Sequence, residues 1–132
     1  MAEAILRHAT RGQINVDSAG TIPQPNIHPM AREAVKRLFD LDMAGQYPKK
    51  LDRFLGESFD YVITVCDHAA DSCPVFPGGP GRIHWSFADP AGAVGTDAEK
   101  RRAFEETAKA LLGRIRLWLS LPGVRDQIAA EP

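Results

Sequence analysis

Tyr61-Val-Ile-Thr-Val65 constrains this chain more than any other stretch. The run is short, apolar and mostly β-branched, the signature of a strand buried on both faces of a parallel sheet. It ends at Cys66, and the only other cysteine in the chain is Cys73. In open parallel sheets the carboxyl ends of the strands form the edge where ligands bind. A thiol at that edge, with a second thiol close behind it in sequence, is the best functional clue the residues offer.

With 132 residues, the chain is long enough for one domain with a real core and too short for two ordinary ones. Apolar residues make up 44% and charged residues 25%, and no apolar run could cross a bilayer. Acidic and basic residues are interspersed and the net charge is −1, so nothing marks a nucleic-acid or membrane surface. The opening Met-Ala-Glu-Ala-Ile-Leu-Arg-His carries Glu3 and lacks the basic-then-apolar plan of a signal peptide, which places the chain in the cytoplasm. In that reducing compartment two cysteines point to catalysis, redox chemistry or metal binding rather than to a structural staple.

Read in order, Met1 to Ala9 has Ala2, Ile5, Leu6 and Ala9 at helical spacing. Gln13 to Ser18 alternates polar and apolar residues and predicts a strand, followed by a loop with Pro23 and Pro25. A helix is expected from Pro29 to Phe39, with Ala31, Ala34, Val35 and Leu38 on one face. Leu51 to Leu55 reads as a single helical turn and Arg82 to Phe87 as a further strand, with Asp89-Pro90 in the loop after it. Thr96-Asp-Ala-Glu99 is a capping box, in which the Thr96 hydroxyl and the Glu99 carboxylate are each expected to satisfy an otherwise unpaired amide, for a long helix that buries Phe104, Ala108, Leu111, Ile115 and Trp118. Pro122-Gly123 ends that helix, so the expected domain spans residues 1–122 and residues 123–132 form a frayed tail. This alternation of helices and strands predicts an α/β fold on a parallel sheet. A right-handed crossover needs a strand ahead of its helix, and none precedes the helix at Met1.

Met-Ala-Glu-Ala (1–4), Ser-Ala-Gly-Thr (18–21), Asp-Tyr-Val-Ile-Thr-Val-Cys (60–66), Cys-x6-Cys and His-Trp-Ser-Phe-Ala-Asp-Pro (84–90) occur in this order. Together with the long helix they make the chain resemble the thioredoxin-coupled arsenate reductases, which share the low-molecular-weight protein tyrosine phosphatase fold. That resemblance implies a flavodoxin-like, three-layer, doubly wound parallel sheet with its first strand missing here. In the family, Met-Ala-Glu follows a Cys-x5-Arg loop that cradles the oxyanion and supplies the nucleophile, and residue 1 is already that methionine.

The resemblance also implies the chemistry. The loop cysteine attacks arsenic, Cys66 attacks the thiol–arsenic adduct and releases arsenite, and Cys73 resolves the resulting disulfide. Thioredoxin then reduces the Cys66–Cys73 bridge, and no cofactor or metal is called for. Asp89 matches the family's mobile acid, and Ser18 matches a serine that supports the oxyanion loop. Each redox step is exchange at sulfur. A regular helix over 66–73 would hold the cysteines roughly 10 Å apart along its axis, whereas a disulfide needs Cα atoms about 4.4–6.8 Å apart, so oxidation must rearrange that segment.

Other readings stand beside this one. Two cysteines near a strand end can be small buried hydrophobes, and a zinc site would need a spacing that Cys-x6-Cys does not supply. A tyrosine phosphatase would not need Cys66 or Cys73, and a non-catalytic relic of the fold would keep only thiol exchange. Lacking the nucleophile loop, the chain alone is expected to be inactive. The edges left by a missing internal strand invite pairing into a homodimer.

Overall fold

The computed structural model describes residues 1–20, 23–65 and 76–130. Helix α1 (Ala2–Ala9) forms where the periodicity places it. Glu3 in its first turn and Arg7 and His8 in its last complement the helix dipole. Helix α2 (Pro29–Phe39) has Pro29 at its first position and His28 as N-cap, with the ring Nδ1 accepting the Met30 N–H at 3.1 Å. It ends on Asp40 in the left-handed conformation, φ 55°. The expected single turn is a 3₁₀ helix, Leu51–Phe54.

Strands β1 (Tyr61–Thr64) and β2 (Gly81–His84) pair in parallel, with Tyr61 opposite Gly81 and Thr64 opposite His84. Gly81 lets the strands meet, because a Cβ there would lie 2.8 Å from Tyr61 Cδ1. Beyond the ladder, Trp85 N–H donates to the Thr64 carbonyl at 2.8 Å and Phe87 N–H to that of Val65 at 3.1 Å. A 3₁₀ turn (Pro90–Gly92) leads to α3 (Asp97–Leu119), and α4 (Pro122–Ala130) closes the described chain.

Helices α1 and α2 both pack on α3, whose buried residues are the five the spacing picks out: Phe104, Ala108, Leu111, Ile115 and Trp118. Ile5, Val35 and Ile115 are the largest side chains with essentially no exposure. The sheet joins the same core through Tyr61, Ile63 and Ile83. Tyr61 sits edge-on to Trp118 with ring centres 5.2 Å apart, and Trp85 meets the same indole at 6.3 Å.

The structure corrects four expectations. Gln13 to Ser18 is not a strand, since no described segment pairs with it, and the Val16 carbonyl instead accepts from the Arg7 guanidinium at 2.7 Å. Among the described residues, parallel pairing on this side is confined to one bridge, Gly20–Lys50. Strand β1 is half-buried rather than buried on both faces, because among the described residues it has one ladder neighbour. In the capping box the Thr96 hydroxyl accepts the Glu99 N–H and donates to the Glu99 carboxylate, both at 3.2 Å, so that carboxylate caps the hydroxyl rather than a backbone amide. Finally, the expected tail is helical over Pro122–Ala130 and places Val124, 5% exposed, in the core with Ile128 packed beside it.

Val124 therefore contributes to global stability. Val124→Ala is expected to cost about 2 kcal/mol of unfolding free energy, read from urea melts. A loss within the ordinary surface range of about 0.5 kcal/mol would show that α4 is not part of the core.

Candidate active site

The polar centre of the described structure is the Glu3 carboxylate, on the first turn of α1 and only 6% exposed in its side chain. Ser18 Oγ donates to Glu3 Oε1 at 2.7 Å, and Lys49 Nζ lies 3.7 Å from the same oxygen. Arg7, one turn along α1, places NH1 3.3 Å from Oε2. Lys49 is itself held: its ammonium donates to the Tyr47 carbonyl at 3.2 Å and sits 4.7 Å from the centre of the Tyr47 ring. Three separate stretches thus converge on one carboxylate: α1, the Gln13–Ser18 segment and the loop before the Gly20–Lys50 bridge.

Ser18, which the resemblance matches to an oxyanion-loop serine, gives its hydroxyl to Glu3 among the described residues. Glu3 and Lys49 are the site residues that the sequence reading passed over. The available signal was a carboxylate at 3 with an arginine at 7, one helical turn apart, on a helix of otherwise apolar inward positions.

At the carboxyl end of the sheet, Thr64 Oγ1 and His84 Nδ1 are 2.7 Å apart, linking the last residues of β1 and β2. From this edge the chain runs on into Val65 and then Cys66 in one direction, and toward Asp89 in the other. Asp89 is exposed and caps the Pro90–Gly92 turn, its Oδ1 accepting the Ala91 N–H at 3.0 Å. A cavity of about 170 Å³ adjoins that turn, lined by Pro90, Ala91, Asp97 and Lys100. His28 also lines it, stacked on Phe104 with ring centres 4.6 Å apart. The predicted thiols, Cys66 and Cys73, lie outside the described residues. The described chemistry therefore consists of a buried, paired carboxylate on the first turn of α1 and an exposed carboxylate on the turn that follows β2.

A profile of the low molecular weight phosphotyrosine protein phosphatases matches residues 1–121. The chain belongs to that family. Within it, the chain is 37% identical to an arsenate reductase of Halalkalibacterium halodurans over 116 residues, covering 88% of this chain and 82% of that protein. It is 34% identical to an arsenate reductase of Bacillus subtilis with the same coverage. Among solved structures, a thioredoxin-dependent arsenate reductase of Corynebacterium glutamicum superposes with a TM-score of 0.56 at 27% identity, over 88% of this chain and 54% of that one. An arsenate reductase of Archaeoglobus fulgidus gives a TM-score of 0.56 at 27% identity, over 86% of each chain. An arsenate reductase in its reduced state gives a TM-score of 0.65 at 22% identity, over 90% of this chain and 85% of that chain. The fold is accordingly that of the low-molecular-weight phosphatases, with β1, β2 and the Gly20–Lys50 bridge as its described parallel pairings.

Within this family member, Ser18→Ala is expected to cost about 1.5–3 kcal/mol, the range for hydrogen bonds to charged groups. Lys49→Met should destabilise as well, because Glu3 then loses one of the two side-chain cations paired with it. Chemical denaturation measures both, and a Ser18→Ala melt superimposed on the unsubstituted one would remove Ser18 from the cluster.

Proposed function

We propose that this chain carries the last two thiols of arsenate reduction, Cys66 and Cys73, and hands the resulting disulfide to thioredoxin. The carrying observation is the 37% identity to an arsenate reductase over 88% of the chain, in a sequence whose only cysteines lie seven residues apart at a strand end. In the step assigned to Cys66, its thiolate attacks the sulfur of a thiol–arsenic(V) adduct. An S–S bond forms, the S–As bond breaks, and the bonding pair leaves with arsenic as arsenite. Cys73 then attacks Cys66 in that disulfide, frees the first thiol and closes Cys66–Cys73. Thioredoxin supplies two electrons and two protons to reopen it. Asp89, on its exposed turn, is the proton donor for departing oxygen.

The first thiol is not among these residues. Six positions after Cys66 stands Ser72 and six after Cys73 stands Gly79, so neither cysteine opens a Cys-x5-Arg loop. We therefore expect the 132-residue chain, assayed alone, to show no arsenate-dependent NADPH consumption with thioredoxin and thioredoxin reductase. Without a nucleophile and its amide cradle, transition-state stabilisation is missing. The diamide-oxidised chain should nevertheless accept electrons from thioredoxin once per molecule, and Cys66→Ser or Cys73→Ser should abolish this. Failure of the oxidised chain to be reduced would overturn the reading.

The family's name favours a second reading, hydrolysis of phosphotyrosine. It requires no thiol pair, and p-nitrophenyl phosphate hydrolysis that survives Cys66→Ser would support it over thiol exchange. The thiol chemistry fits the cytoplasm, where thiols are kept reduced. Among the described residues β1 has a ladder partner on one side only, which supports association of two copies through the other. Light scattering should then report a dimer, and a monodisperse monomer would argue against it.

A further inference from the structure

We propose that a groove between the C-terminal ends of α1 and α3 docks an acidic segment of a protein partner. A cavity of about 670 Å³ opens there, lined by His8, Arg11, Arg116 and Ser120 over Leu112 and Leu119. All three basic side chains are exposed and have no hydrogen-bond or ion-pair partner among the described residues. From Thr107 to Leu119 helix α3 carries Lys109, Arg114 and Arg116 and no carboxylate. The groove thus sets two guanidinium groups and an imidazole, with no counter-charge paired to them among the described residues, over an aliphatic floor.

That chemistry selects the occupant. Guanidinium forks pair with carboxylates in bidentate geometry, and the leucine floor accepts an aliphatic side chain set between two acidic ones. Small-molecule sites bury most of their ligand's surface. A groove rimmed by exposed side chains suits instead one segment of a larger partner, whose remaining contacts lie outside it.

His8 and Arg116 also stand in the last turns of their helices, where cations complement the dipole. Arg11 does not fit that account. It lies past the end of α1 with φ 54°, immediately before Gly12 at φ 73°. This left-handed turn terminates α1, with the Arg11 and Gly12 N–H groups donating to the His8 and Arg7 carbonyls. Here it sets a guanidinium at the lip of the groove.

The test is a titration of the isotope-labelled chain with the peptide acetyl-Asp-Glu-Leu-Asp-Glu-amide, followed by amide chemical shifts. Shifts should cluster at residues 8–12 and 112–120, and affinity should fall as salt is raised to about 0.5 M. The double variant Arg11→Glu, Arg116→Glu should bind about tenfold more weakly or worse, and the single variants Arg11→Gln and Arg116→Gln should each weaken binding while circular dichroism stays unchanged. No binding, shifts centred elsewhere, or affinity unaltered in the Gln variants would overturn the proposal. A purely dipolar role would appear as a lower melting temperature for Arg116→Gln with no peptide binding at all. Because no cysteine is involved, this outcome is independent of the thiol-relay reading.

Discussion

Burying the Glu3 carboxylate obliges three parts of the chain to come to it. Removing a carboxylate from water costs several kcal/mol even after the protein relaxes, unless partners replace the lost hydration. Ser18, Lys49 and Arg7 are those partners, at 2.7, 3.7 and 3.3 Å. The shortest contact does the most, since a hydroxyl donating to a charged oxygen exceeds a neutral hydrogen bond, whereas an ion pair at 3.7 Å is loose. The result is a tie between α1, the Gln13–Ser18 segment and the loop carrying Lys49. That tie explains how Gln13–Ser18 keeps its place without ladder hydrogen bonds. Arg7 serves both ends of the arrangement, with NH1 near Glu3 and NH2 on the Val16 carbonyl.

A second constraint works through packing. Two strands alone make a marginal sheet, so β1 and β2 depend on what they rest against. Trp118, near the end of α3, receives both Tyr61 from β1 and Trp85 from the chain just after β2. One indole therefore fixes the sheet to the longest described helix, at the cost of a buried Nε1 with no hydrogen-bond partner among the described residues. Tyr61 is perpendicular to that indole at 88°, the edge-to-face geometry that aromatic pairs prefer. The strand ends that carry Thr64 and His84 are held in register by the same anchor.

Those two constraints explain which parts of the molecule could be read in the sequence. Helices α2 and α3 were legible because each buries one face against the core, and burial writes a 3.6-residue period into the residues. The family-wide fold was legible for a different reason, the ordered short segments from Met-Ala-Glu-Ala to the Asp89-Pro90 turn. What misled was information that alternation does not carry. Gln13–Ser18 alternates polar and apolar residues, yet a strand is defined by its hydrogen-bonded neighbour, and pattern within one segment is silent about neighbours. Pro122-Gly123 was read as a stop, although proline equally suits the first position of a helix, and α4 uses it that way. Asp89 was placed correctly on a turn. Glu3 and Lys49 were passed over because a carboxylate in a first helical turn and a lysine in a loop are ordinary until the fold brings them together.

The same fold separates two kinds of chemistry along α1. Its first turn holds a compensated charge, shielded and paired, while the chain past its last turn presents a guanidinium with no described partner. A paired, buried charge resists change and gives the first turn a single geometry. An exposed, unpaired one remains available to an outside ligand and responds to salt. Since α1 is only eight residues long, anything that pulls on Arg11 acts on the helix whose other end is fixed by Ser18 and Lys49. So short a helix would be marginal alone in water, and α1 is held instead by the packing of Ala4 and Ile5 in the core against α3 together with the hydrogen bond from Ser18, fifteen positions away.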